Sequence, residues 1–165
     1  MPNENSLRIL VVTSRPLVDP NGKPIVLLDV AEERRRIRDA LTPIPDPSPE
    51  GGGRDKCVVR VHFLPDATTG AVNDALADAW DVVHITGHGA PDGRLWFEDE
   101  FGVGQLVHAR DLAQMFGKRL PRVVVLSLCF SGRNAPDALR QAGVGSVVAI
   151  NADVQIGRAS CRERV

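Results

Sequence analysis

The sequence predicts one α/β domain: an open, mostly parallel sheet with helices on both faces. Three observations predict it. Short apolar runs alternate with helical patterns along the chain. Those runs are rich in Val, Ile and Leu and are continuous rather than alternating, as in strands covered on both sides. Loops bearing Pro and Gly separate them, and 165 residues suit a single domain.

The elements follow in order. LRILVVTS (7–14) is a buried strand. The next loop carries Pro16, Pro20, Gly22 and Pro24 as breakers. Asp29 can cap a helix to about Leu41, with Val30, Ile37 and Leu41 on one face and Arg34 to Arg36 in solvent. The stretch 42–55 is rich in Pro and Gly and reads as a mobile connection. CVVRVHFL (57–64) is the second strand, with Cys57 buried at its start. Thr68 or Thr69 opens a helix through about Ala79, and DVVHIT (81–86) is the third strand. RLWFEDEFG (94–102) reads as a hairpin with Asp99 and Glu100 solvated at its turn. ARDLAQMFG (109–117) is a short helix stopped by Gly117. RVVVLSLC (122–129) is the strongest strand signal. Asn134 caps a helix with Pro136 in its first turn and Gly143 after its end, and SVVAI (146–150) is the last strand.

Bulk properties exclude several classes. The net charge is −1 and no Lys/Arg run appears, which argues against nucleic-acid or membrane-surface binding. No apolar run approaches the ~20 residues that span a bilayer. Met1 to Ser6 lacks a signal-peptide pattern. Three Cys in unrelated settings make no disulfide framework, so a cytoplasmic location is expected. The Arg-rich end QIGRASCRERV (155–165) resembles the translated read-through of a sequencing adapter. It is expected to be a non-native tail, leaving 1–154 as a domain incomplete on its C-terminal side.

The chemistry gathers at two strand ends. In a parallel sheet the site lies beyond the carboxyl ends of the strands. VVHITGHG (82–89) ends in Gly87, His88 and Gly89, and the fourth strand ends in Cys129. Thiol attack on a carbonyl needs a nucleophile, a base that later serves as acid, and donors for the oxyanion. Cys129 suits the first role and His88 the second, since imidazole titrates near neutrality. The N–H groups of Gly89 and Cys129 suit the third. Gly87 and Gly89 permit a sharp turn, and Ser131 with Gly132 would keep the exit from Cys129 open.

Each residue taken alone also has a plainer reading. A Cys ending an apolar strand is commonly core, and a His beside glycines commonly a loop residue. His88 with Cys129 lacks further ligands at metal-site spacing, so no metal site is expected. His84 is expected in the sheet packing, with His62 and His108 in structural roles. Neither Gly51 to Gly53 nor Gly87-His88-Gly89 leads from strand to helix as a phosphate or dinucleotide loop does.

VVHITGHG followed by RVVVLSLCFSG (122–132) resembles the CHAT domain, a bacterial branch of the caspase-like cysteine peptidases related to separase. LRILVVTSRP (7–16) and LWFEDEFG (95–102) resemble the first strand and hairpin of that family. The resemblance covers about residues 7–154. It implies a caspase-like three-layer α/β/α sandwich and peptide-bond hydrolysis without a cofactor. His88 corresponds to the family's base, Cys129 to its nucleophile, and Gly89 to an oxyanion donor. The family's fold continues past the last strand seen here, and those loops help build the specificity pocket. The shortened chain is therefore expected to turn over weakly. Arg15, on the same rim, would favour an acidic substrate side chain; a surface role is the alternative.

The expected partner is a protein or peptide substrate. A repeat or sensor domain downstream is implied by the family, as is regulation of the protease. Two other functions compete: a non-catalytic caspase-like interaction module, and an α/β domain binding a small molecule. Intact His88 and Cys129 favour the peptidase over the former. The prolines after the first strand, where a phosphate loop would stand, disfavour the latter.

Overall fold

The computed structural model describes residues 6–41 and 58–150, with the backbone of two short strands at 155–156 and 159–160. Cys57 and the 42–55 connection lie outside the described residues. Five strands form one parallel sheet: β1 (Ser6–Thr13), β2 (Val58–Leu64), β3 (Val82–Thr86), β6 (Val123–Ser127) and β7 (Ser146–Ala149), in the order β2-β1-β3-β6-β7. β4 (Leu95–Glu98) and β5 (Gly104–Val107) make an antiparallel hairpin between β3 and β6. Gln155–Ile156 and Ala159–Ser160, β8 and β9, pair antiparallel as a separate ribbon.

Alternation along the central strands assigns the faces. Leu10, Val12, Val83, Ile85, Val124 and Leu126 are buried on one face. They form a single core with Val72 and Leu76 of α2 (Thr69–Leu76), Leu112 of α3 (Ala109–Met115), Leu139 of α4 (Ala135–Gln141) and Phe97 of the hairpin. The opposite face carries Ile9, Val11 and Thr13, all buried, then His84, Thr86 and Ser127. Helix α1 (Val30–Leu41) covers it: Glu33 of its first turn bonds Thr86. The molecule is thus the three-layer α/β/α arrangement expected.

Continuous apolar runs did not mean full cover everywhere. The outer strands β2 and β7 alternate in exposure, and Val58 and Val148 stand in solvent at 47% and 57%. A β-branched run therefore marks a strand without stating how many faces are covered.

Local signals differed from the structure in instructive places. Helix α2 is capped by Thr68, whose side chain accepts the Ala71 N–H, but it ends at Leu76 rather than near Ala79. The Trp80 indole donates to the Ala75 carbonyl at 2.7 Å, claiming an acceptor the last turn exposes. Arg34 is only partly solvated: its Nε and one Nη are buried with no hydrogen-bond partner among the described residues. The hairpin runs to Val107, longer than expected. Asp99 organises its turn by accepting the N–H groups of Phe101 and Val103, while Glu100 stays exposed. No helix among the described residues is long and apolar enough to cross a membrane.

Candidate active site

The register of the sheet brings the two sequence motifs side by side. Thr86 of β3 pairs with Ser127 of β6 in parallel, so the chain two residues past each strand reaches His88 and Cys129 together. Contact is direct at the next residue. A Cβ built on Gly89 would fall 1.8 Å from the Cys129 carbonyl oxygen, 2.9 Å from its carbonyl carbon and 3.3 Å from its nitrogen. The Gly89 main chain therefore lies against the Cys129 main chain, and no side chain fits between them.

This changes the reason for glycine here. Neither Gly87 nor Gly89 has a positive φ, so neither serves a left-handed turn. Both save space: Gly89 leaves no room for a Cβ, and one on Gly87 would meet the Ser14 carbonyl oxygen tightly, at 3.0 Å. The left-handed residue is Phe130, at φ 57°, immediately after Cys129. Such a conformation in a bulky residue costs about 1–2 kcal/mol and turns the chain sharply off the strand.

His88 is 9% exposed, and its Nε2 lies 2.6 Å from the Val26 carbonyl oxygen. A carbonyl only accepts, so Nε2 carries the hydrogen. In the neutral imidazole Nδ1 is then the basic nitrogen. Burial pushes the His88 pKa below 6.5; the bond to Val26, which favours the charged form, offsets this in part. The ring is thus uncharged near neutrality, with its basic lone pair on Nδ1.

The main chain beside it is also oriented. Trp96 N–H donates to the His88 carbonyl and Ala90 N–H to the Arg94 carbonyl, with Gly89 opposite Leu95 between them. In this non-hydrogen-bonded antiparallel pair the Gly89 N–H points away from Leu95.

The two motif loops are tied to each other. Arg133 Nη1 donates to the Pro91 carbonyl at 2.7 Å, and its guanidinium lies over the Phe130 ring at 4.9 Å. Asn134 occupies the N-cap position of α4 but makes no cap bond with its side chain. Its Nδ2 donates instead to the Asp92 carbonyl at 3.0 Å. Ser131 does not open an exit from Cys129 as expected. It is buried, with Oγ 2.9 Å from the Leu128 carbonyl oxygen, and it accepts the Ile150 N–H at 3.1 Å. Gly132 N–H completes the brace to Ile150 at 2.7 Å. Cys129 itself is fully buried.

Arg15 is exposed just past β1 on the same rim. Its main-chain N–H and that of Ala67 bond the carboxylate of Glu98, which is only 8% exposed. Burial raises the Glu98 pKa; the two N–H bonds and the Arg15 charge pull the other way, and Asp66 adds to the rise. Glu98 thus joins the β1 exit, the β2–α2 loop and the hairpin, a role its place in an apolar strand gave no hint of. A carboxyl with a raised pKa contributes stability fully below its unfolded value and loses it as pH rises through the folded value. Glu98→Gln keeps an acceptor without the charge. Its Tm relative to wild type is expected to rise between pH 4 and pH 7, while Glu98→Ala should cost about 1–3 kcal/mol in denaturant titration.

Of the other histidines, His62 is exposed and tilted against Trp80 at 5.9 Å, and His108 takes the N-cap position of α3 without a side-chain cap bond. His84 is not in apolar packing: its Nε2 faces Ser127 Oγ at 3.0 Å and Glu33 at 3.4 Å. Among the described residues no three His, Cys, Asp or Glu side chains converge as a metal site. Val26 and Glu98 are the contributors that sequence reasoning missed.

A search of curated proteins found no match to the chain. The family model described as the CHAT domain matches residues 15–159, spanning both motif loops and most of the sheet. Motif order, parallel topology and this match agree: the chain belongs to the CHAT domain family, a caspase-like, protease-related group.

Proposed function

We propose that the protein is a cysteine-dependent endopeptidase acting through Cys129 and His88. The observation that supports it most is the seating of Gly89 on the Cys129 main chain, since it puts the loop that carries His88 against the loop that carries Cys129. In this reading His88 Nδ1 takes the Cys129 proton and Sγ attacks the scissile carbonyl. The oxyanion faces the N–H groups of Gly89 and Cys129. As the intermediate collapses, His88 returns the proton to the leaving amine, and a water it activates then hydrolyses the thioester. The Val26 carbonyl holds the imidazole in the required tautomer throughout. Arg15, exposed on the rim, would meet an acidic substrate side chain. A reduced thiol suits a cytoplasmic setting.

One observation favours a second reading, a non-catalytic interaction module: Cys129 has no exposed surface. Inert structural cysteines are buried, whereas reactive ones are reachable. A panel of peptidyl acyloxymethyl ketones, with adducts located by mass spectrometry, separates the two. Adducts at Cys129 that vanish in Cys129→Ala are expected of the peptidase. Folded protein that takes up no probe at Cys129 after long incubation would establish the module.

A further inference from the structure

The face of the sheet under α1 carries polar groups that the peptidase reading leaves unused. Thr13, Thr86 and Ser127 lie in register across β1, β3 and β6. Two residues beyond each stand Arg15, His88 and Cys129. The row is therefore the last level of regular sheet beneath the rim.

A single carboxylate holds this level. Glu33 Oε2 accepts from Thr86 Oγ1 at 2.6 Å, and Glu33 Oε1 lies 3.4 Å from His84 Nε2. The same His84 nitrogen lies 3.0 Å from Ser127 Oγ, so the cluster crosses from β3 to β6. Glu, His and Ser make up a familiar hydrolytic set, but the geometry is wrong for it. A triad needs the carboxylate and the hydroxyl on opposite ring nitrogens, and here Nε2 serves both. The cluster cannot activate Ser127.

Its position suits another task. Burial opposes the Glu33 charge, yet bonds from His84 and Thr86 and the nearby His84 charge hold its pKa below the usual value. The carboxylate is thus ionised and only partly exposed, at 21% of its side chain. Glu33 also lies in the first turn of the helix that follows Val26 closely, and Val26 bonds His88. The segment 26–33 therefore grips β3 at two levels: through the Val26 carbonyl at His88, and through Glu33 at Thr86 and His84. Leu28 and Val30 are buried in the same segment, but apolar burial is non-directional, so the register of the segment along the strand rests on the Glu33 and Val26 bonds, and with the lower one released the upper one loses its register.

We propose that Glu33 is a positioning residue: by clamping α1 to Thr86 and His84, it holds the Val26 carbonyl where it orients the His88 ring. This rests on the dyad reading for its purpose but not for its test. The test is imidazole ¹⁵N NMR of the full histidine-labelled chain, in wild type, Glu33→Gln, Thr86→Val and the control Glu32→Gln. Among the described residues Glu32 bonds Arg35 and Arg36 on the exposed side, so its loss touches helix stability and not the clamp.

Wild type and Glu32→Gln are expected to show His88 as a pure Nε2–H tautomer titrating below 6.5. In Glu33→Gln and Thr86→Val the tautomers should mix and the His88 midpoint should fall further, because the Val26 bond that favours the charged ring is weakened. His62 and His108 should be unmoved. Labelling of Cys129 should fall about 10-fold or more at pH 7 in the same two variants. A His88 signal in Glu33→Gln and Thr86→Val identical to wild type would overturn the clamp, whatever the probes report. Should Glu33→Gln fail to fold, Thr86→Val, which removes one hydroxyl, decides alone. The dyad reading fails separately, if His88→Ala labels as fast as wild type.

Discussion

Gly89→Ala is expected to abolish labelling of Cys129, although it removes no reacting group. The added methyl would lie 1.8 Å from the Cys129 carbonyl oxygen, well inside any tolerated contact. Both partners are main chain, so no rotamer change relieves it. The Cys129 loop is held by Ser131 and Gly132 on Ile150 and by Asn134 on the Asp92 carbonyl, and it cannot simply recede. Relief requires Gly89 and Cys129 to separate by more than an ångström, which takes one N–H donor out of place. Loss of one oxyanion donor is worth about 10²–10³ in rate, and misplacement of the reacting pair contributes on a similar scale. Overpacking should also lower stability by about 1–3 kcal/mol. Gly87→Ala makes the graded comparison, since its methyl meets Ser14 at 3.0 Å and a shift of a few tenths of an ångström suffices. Labelling rates and Tm measured together should rank wild type above Gly87→Ala, and Gly87→Ala far above Gly89→Ala. Equal labelling by Gly89→Ala and wild type would mean that the two loops are not seated on each other.

His88→Ala is expected to lower the rate at neutral pH by about 10²–10⁴-fold, the range for loss of a general acid–base. Its pH dependence is the sharper signature. Burial lowers the His88 pKa, so the imidazole remains a base below pH 6.5 and the acid limb of the wild-type profile should lie there. That limb should disappear in His88→Ala. Stability carries the same sign. Between 6.5 and the depressed folded value the unfolded chain binds a proton that the folded chain does not, so wild-type stability falls with pH across that window. His88→Ala should lack this part of the acid destabilisation in urea titrations at pH 7 and pH 5. An unaltered acid limb in the variant would assign it to another group.

These expectations rest on features of unequal visibility in the sequence. The sheet was legible because β-branched runs such as RVVVLSLC have few other uses, and the rim because glycines and a histidine interrupt one of them. His88, Gly89 and Cys129 sit together because parallel strands end on one edge. Val26 was invisible for a definite reason: it contributes a carbonyl, and every residue has one. Glu33 was hidden among Glu32, Arg34, Arg35 and Arg36, a run that reads as a solvated helix face. Glu98 was hidden in a strand, and its raised pKa arises from burial that only the packed hairpin creates. Asn134 misled in the other direction, since its residue type suits a cap and its side chain is taken by a carbonyl far away in sequence. Groups that act through their type were thus readable, while those that act through location were not.

The closed Cys129 has a kinetic consequence. If attack proceeds only from a transiently open form, every electrophile samples the same small open fraction. Observed rates are then intrinsic rates multiplied by one shared opening constant. Absolute reactivity will be low while the ratios between reagents match those of an accessible thiol. For reagents fast enough to capture each opening, the rate will level off at the opening rate itself. A sterically closed cysteine of this kind acts as a clock for the breathing of its own loop, and a plateau in labelling against reagent concentration would read that clock directly.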